Sequence, residues 1–164
     1  MSSAINHLAG QTVQPDPHWK SLLECAATEV FSMMAGFNLA AFAEPPAETH
    51  GDRTAMVGLA GALCGMITVR CSSEVAIKLA DQMLGGDAAA NPTIIGDALG
   101  ELCNMVAGNF KSKVTNLADH CMLSVPTVIW GEDYVVQTVQ PHEGFQFALS
   151  LDGEPVWFSM TIHT

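Results

Sequence analysis

Positive charge is what this chain has least of. Six lysines and arginines stand against 17 aspartates and glutamates, a net charge of −11. Nucleic-acid binding relies on clustered cations to neutralise phosphates, so that class of function is excluded, and an acidic surface suits a partner with exposed basic groups. Metal-ligand spacings are missing too. None of the five cysteines (Cys25, Cys64, Cys71, Cys103, Cys121) falls in CxxC and none of the six histidines in HExxH, so neither a zinc site nor a disulfide framework is indicated; reduced, buried thiols are expected. The N-terminus shows no basic region followed by an apolar core, so no secretory signal is expected and the reading is cytoplasmic. The uncharged run Thr54–Val69 is too short for a membrane span and holds Gly58, Gly61 and Gly65, which fits a buried hairpin.

At 164 residues, 49% hydrophobic and 14% charged, the chain is read as one well-packed domain over 18–164 after a loose polar leader over 1–17, with Pro15 and Pro17. The most informative stretch is Pro92–Thr115, PTIIGDALGELCNMVAGNFKSKVT. Ile95, Leu99, Leu102, Val106 and Phe110 recur at gaps of three and four, with Ala98, Met105 and Val114 beside them, giving a long helix with one buried side. The other side carries Asp97, Gly100, Glu101, Asn104, Gly108 and Lys111. Each interior glycine costs a helix about 1 kcal/mol relative to alanine, so something other than helix stability selects them. Glu101 and Asn104, three apart, share a face with Cβ atoms about 5–6 Å apart. The flanking glycines would let a partner's backbone come close. That spacing alone is far more often an ordinary solvated helix face, so it takes further evidence to mark a site. Cys103 turns to the opposite side and reads as core rather than nucleophile.

Taken in order, His18–Leu39 reads as a helix with Trp19, Leu22, Leu23, Ala26, Val30, Met33, Met34 and Phe37 inward. Pro45 and Pro46 break the chain before two strands, Ala55–Gly61 and Gly65–Cys71. Ser72 or Ser73 caps a helix that ends at Gly85-Gly86, and Asn91-Pro92 opens the central helix, expected to run to about Leu117. A strand over Leu123–Trp130 must lie at an edge or be irregular because of Pro126. Tyr134–Val139 reads as another strand. Phe145–Leu151 and Val156–Ile162 alternate about an Asp152-Gly153 turn, a hairpin. The fold class is α+β, long helices packed on a largely antiparallel sheet. Glu29-Val-Phe-Ser32-Met-Met-Ala-Gly36 matches Glu101-Leu-Cys-Asn104-Met-Val-Ala-Gly108 at an offset of 72, which predicts a duplicated domain with pseudo-twofold symmetry.

With the motif Asp97-Ala-x-Gly-Glu101-x-x-Asn104-Met-x-Ala-Gly108 in view, the chain beyond residue 17 resembles the CheX branch of the CheC/CheX/FliY chemotaxis phosphatases. The resemblance implies a duplicated CheC-like α/β fold and hydrolysis of the aspartyl phosphate of CheY-like receiver domains. It places the catalytic pair on Glu101 and Asn104, with Ser32 leaving only a remnant on the first helix. Asp97, Gly100, Gly108 and Lys111 become partner contacts. It further implies a homodimer and no cofactor bound by this chain, Mg2+ being expected in the partner receiver. The competing reading is a non-catalytic receiver-binding or dimerising module.

Overall fold

The structure, a computed structural model, describes residues 16–47, 51–137 and 142–163. Helices α1 (Trp19–Ala35), α2 (Ser73–Leu84) and α3 (Pro92–Lys113) cover one face of a seven-stranded sheet. Its strands are β1 (Ala40–Ala41), β2 (Arg53–Gly61), β3 (Gly65–Cys71), β4 (Cys121–Leu123), β5 (Thr127–Trp130), β6 (His142–Leu151) and β7 (Glu154–His163). The order is β1-β6-β7-β3-β2-β4, with β5 also on β2, and every pairing is antiparallel.

Alternation along the strands settles which face is covered. Ala55, Val57 and Leu59 of β2, Ile67 and Val69 of β3, Phe147 and Leu149 of β6, and Val156, Phe158, Met160 and Ile162 of β7 all point inward and are buried. The helices supply the opposing layer. Phe31 of α1 meets Phe158 edge-on at 5.7 Å between ring centroids, and Trp19 meets Phe110 of α3 at 6.2 Å. The hairpin turn has Asp152 and Gly153 at φ 52° and 91°, the pair of left-handed residues that matches strand twist. Ser72 caps α2 by accepting from the Val75 N–H at 3.2 Å.

Five expectations need correcting. Helix α1 stops at Ala35, not Leu39, because Gly36 turns left-handed (φ 67°) and the next N–H, of Phe37, reaches back to the Phe31 carbonyl. Met33 and Met34 are exposed at 70% and 38%, since the buried row continues instead from Ala27 through Phe31 to Ala35. Helix α3 ends at Lys113 rather than Leu117: Val114 is extended and Asn116 has φ 65°, which a helix cannot hold. The strand over Leu123–Trp130 is at the edge and irregular, as Pro126 led one to expect, and Ser124–Pro126 part it into β4 and β5. Of the strand expected over Tyr134–Val139, residues 134–137 form none; the Tyr134 hydroxyl instead hydrogen-bonds Thr54 Oγ1 at 2.6 Å, and the remainder lies outside the described residues, as does nearly all of the leader. Not all thiols are buried either, since Cys25 and Cys64 are exposed. No helix among the described residues is long and apolar enough to cross a membrane.

Candidate functional site

The site is built on α3. Asn91 caps it, its side chain accepting the Thr93 N–H at 3.1 Å, and Pro92 occupies the first turn, where no N–H is needed. Four residues at intervals of four, Gly96, Gly100, Asn104 and Gly108, then form one row up the helix. That row faces the sheet's outer edge. A Cβ at Gly96 would lie 3.9 Å from the Trp130 ring, at Gly100 3.2 Å from Val128 Cγ2 and 3.4 Å from Pro126 Cβ, and at Gly108 3.9 Å from Leu123 Cδ1. Gly100 therefore lets the chain's own edge strand close on the helix, while a Cβ at Gly96 or Gly108 would make ordinary contact. The expectation that Gly100 leaves room for another molecule is corrected: Gly100 is buried under Val128 and Pro126, and Gly108 is half-buried beside Leu123.

Asn104 is the one member of the row with a side chain, and the edge strand is interrupted opposite it. Leu123 faces Gly108 and Pro126 faces Gly100, so the break at Ser124–Pro126 falls at the level of Asn104. The break is ordered. Ser124 satisfies the ladder groups of Gly58, its Oγ accepting the Gly58 N–H at 2.8 Å and its own N–H donating to the Gly58 carbonyl at 2.9 Å. Asn104 is half-buried in this notch and Glu101 is exposed beside it. Among the described residues neither side chain has a hydrogen-bond partner, so the carboxylate and the carboxamide are both available to another molecule.

Behind them the helix is anchored. Cys103 is fully buried, its Sγ at 3.6 and 3.7 Å from the carbonyls of Ala55 and Ile67, and burial pushes the thiol up to about 12, so it is core and not a nucleophile. Asp97 is exposed one turn before Glu101. Lys111 is half-buried two turns beyond Asn104, near the Cys121 thiol, which burial raises and the lysine's charge partly offsets. No group of three His, Cys, Asp or Glu that could hold a metal ion occurs among the described residues.

On α1 the corresponding carboxylate is occupied. Glu29 takes the Lys113 ammonium at 2.8 Å, the Asn109 amide at 3.1 Å and the Cys25 thiol at 3.4 Å, and the Lys113 contact foremost holds its carboxyl below the usual value. Ser32 is exposed with no covering strand.

A groove of about 490 Å³ adjoins the notch, lined by Asp97, Glu101, Val125, Val128 and Trp130 among others. Val125 and Trp130 are 85% and 56% exposed. Neither they nor Gly96 stood out in the sequence; the signal available was the Gly96-x-x-x-Gly100 spacing, which extends the row one turn towards the N-terminus.

The family described as "Chemotaxis phosphatase CheX" matches residues 53–150, more than half of the chain and all of the motif helix. The chain belongs to the CheX family. A curated relative, the CheY-P phosphatase CheX of Thermotoga maritima, is 32% identical over 84 residues, 51% of this chain and 54% of that protein, so the match spans about half the relative's length. Among solved structures, CheX of Vibrio vulnificus superposes with a TM-score of 0.79 at 17% identity, covering 92% of this chain and 99% of that one. CheX of Desulfovibrio desulfuricans gives 0.77 at 23%, covering 89% and 99%. A complex of CheX with CheY, BeF3 and Mg2+ from Borrelia burgdorferi gives 0.74 at 21%, covering 89% and 98%. At these identities the structural likeness establishes the CheX fold.

Proposed function

We propose that this chain hydrolyses the aspartyl phosphate of a CheY-like receiver domain, with Asn104 orienting the attacking water and Glu101 pairing with a lysine of the receiver. The observation that carries the reading is the pair itself: a carboxamide in the notch of the edge strand and a carboxylate three residues before it on α3, neither engaged by any other described residue. Membership of the CheX family, a relative named as a CheY-P phosphatase, and a fold neighbour solved together with CheY support the receiver as substrate.

In such a reaction a water oxygen bonds to phosphorus as the bond from phosphorus to the aspartyl oxygen breaks. Inorganic phosphate leaves with the water's proton, and the receiver's carboxylate is regenerated. Mg2+ bound by the receiver and its lysine offset the charge on the phosphoryl oxygens, so the contribution required of the phosphatase is alignment. A carboxamide can both accept from and donate to that water while remaining neutral, whereas a carboxylate beside the phosphoryl group would repel it. Glu101 at the rim supplies a charge-assisted contact that holds the helix in register.

The remaining expectations belong to the same reading. A duplicated fold with pseudo-twofold symmetry is supported by the palindromic sheet order: β6-β7 and β2-β3 are hairpins joined at the centre, each flanked by the short strand that follows the other half's long helix. Asp97 and Lys111 are rim contacts, the chain acts in the cytoplasm, and it works as a homodimer. The deciding experiment is Asn104→Ala assayed on a phosphorylated receiver. Accelerated phosphate release is expected to fall by about 10²-fold or more while affinity for the receiver stays within about twofold. Release at the wild-type rate would refute the assignment, and a wild-type chain that binds receivers without accelerating release would instead mark a docking module.

A further inference from the structure

We infer that the groove between α3 and the β4–β5 edge is a docking surface for the receiver, taking an apolar side chain flanked by lysine or arginine from the receiver surface beside its phosphorylated aspartate. This rests on the phosphatase reading, and adds to it where the partner's specificity is read.

The catalytic pair is too small to hold a partner by itself. A specific interface covers roughly 800 Å² on each side, far more than two side chains offer. Whatever presents its phosphoryl group to Asn104 must also lie over what surrounds the notch. From Asn104 back to Asp97 along the helix is about 10 Å at 1.5 Å per residue, within that footprint. Glu101 belongs to both sites, standing beside Asn104 and lining the groove. A molecule that engages Glu101 is therefore already at the groove's mouth.

The groove's chemistry defines what it accepts. Val125, Pro126, Val128 and Trp130 make one wall apolar, and the exposed Asp97 and Glu101, one turn apart, make the opposite lip acidic. Val125 sits at 85% exposure on the Ser124–Pro126 break and makes no ladder contact, while the Trp130 ring lies over α3 at Gly96 and its other neighbour is the Arg53 guanidinium of β2, 5.8 Å from its ring centroid. An exposed tryptophan next to an apolar tip is the kind of anchor that dominates association energies. The negative lip selects for cations on the entering segment, and the chain's net charge of −11 acts in the same direction at longer range.

The test uses the full chain and CheY-type receiver domains loaded with beryllofluoride and Mg2+ for binding, or phosphorylated for turnover. Val125→Asp is expected to raise Kd and KM together by about tenfold or more with kcat within about twofold, because the substitution touches association and not the aligned water. Asp97→Lys, away from the apolar wall, should raise both by about three- to tenfold, an effect that shrinks as salt is added. Kd and KM within twofold of wild type for both variants would overturn the docking surface while leaving the Asn104 assignment intact. A change in sedimentation of the chain alone in Val125→Asp, with receiver affinity unaltered, would overturn it in favour of self-association. Weakened binding by Val125→Asp in a chain that releases no phosphate would uphold the surface and refute the activity, and a wild-type chain that binds none of the receivers would refute both.

Discussion

The long helices α1 and α3 carry the same residue frame at an offset of 72, yet they stand in opposite surroundings. On α1 the row Glu24, Thr28, Ser32 and Gly36 is open to solvent apart from a half-buried Glu24; on α3 the equivalent row Gly96, Gly100, Asn104 and Gly108 is closed over by the interrupted edge strand. The strand that follows α1 has only the two residues Ala40–Ala41, whereas α3 is followed by seven in β4 and β5. Their carboxylates differ as much: Glu29 is held by Lys113, Asn109 and Cys25, and Glu101 by nothing within the described chain. The two helices thus differ in their surroundings as well as in Ser32 against Asn104. What separates α3 from α1 is a strand that frames the amide and a carboxylate left unengaged.

The largest expected effect comes from exchanging the member of the Glu-x-x-Asn pair that differs between the two helices. Asn104→Ser should give α3 the Glu-x-x-Ser pair of α1 and lower kcat on a phosphorylated receiver by about 10²-fold or more, since a hydroxyl on a shorter stem does not reach the same water. The reciprocal Ser32→Asn should change the rate by less than about twofold, because Glu29 stays bound to Lys113 and no strand frames the new amide. Gain of a second site in Ser32→Asn, seen as phosphate release restored in the Asn104→Ala background, would break the comparison.

Next in size is the packing of the framed row. Gly100→Val would drive methyl groups into Val128 and Pro126, overpacking by about 1–3 kcal/mol on urea unfolding and pushing the edge strand from Asn104, so kcat should fall as well. The matching Thr28→Val on the open row of α1 should alter stability by no more than about 0.5 kcal/mol. Equal losses at the two positions would mean that the strand does not frame α3 as described.

The smallest effect concerns the tether of Glu29. Its carboxyl titrates below the ordinary 4.5 and Lys113 above the ordinary 10.5, each chiefly through their mutual hydrogen bond. The lowered carboxylate contributes stability above 4.5 that is lost as pH falls through its depressed value; the raised ammonium contributes below 10.5 and loses it as pH rises through its elevated value. A small Tm difference between wild type and Glu29→Gln should therefore hold across neutral pH and close at both extremes, with catalysis unchanged. The pair is solvent-exposed, so added salt should shrink the difference.

Much of this was legible from residue order. Period-two alternation placed β6 and β7, the Asn91-Pro92 start placed α3, and Ser72 placed α2, because each signal is local and chemical. Asn104 and Glu101 were legible as a pair for the same reason. The purpose of the glycines was not: Gly100 reads as clearance in any sequence, and only the return of Pro126 and Val128 from about 26 residues further along reveals that the clearance is used internally. Glu29 failed to announce its tether likewise, since Asn109 and Lys113 are 80 and 84 residues away. Helix ends were misjudged where a single left-handed residue, Gly36 or Asn116, outweighed a continuing apolar pattern.

Cys103, adjacent to the amide in sequence and buried against carbonyls of two different strands, bears on how costly an encounter must be. Because that residue pins the backbone of α3 from within, the geometry of Asn104 is settled when the chain folds and not when a partner arrives. On the proposed reading, a receiver docking there would not have to order the helix that carries the pair, so the entropic cost of the encounter would fall on side chains and not on the backbone of α3.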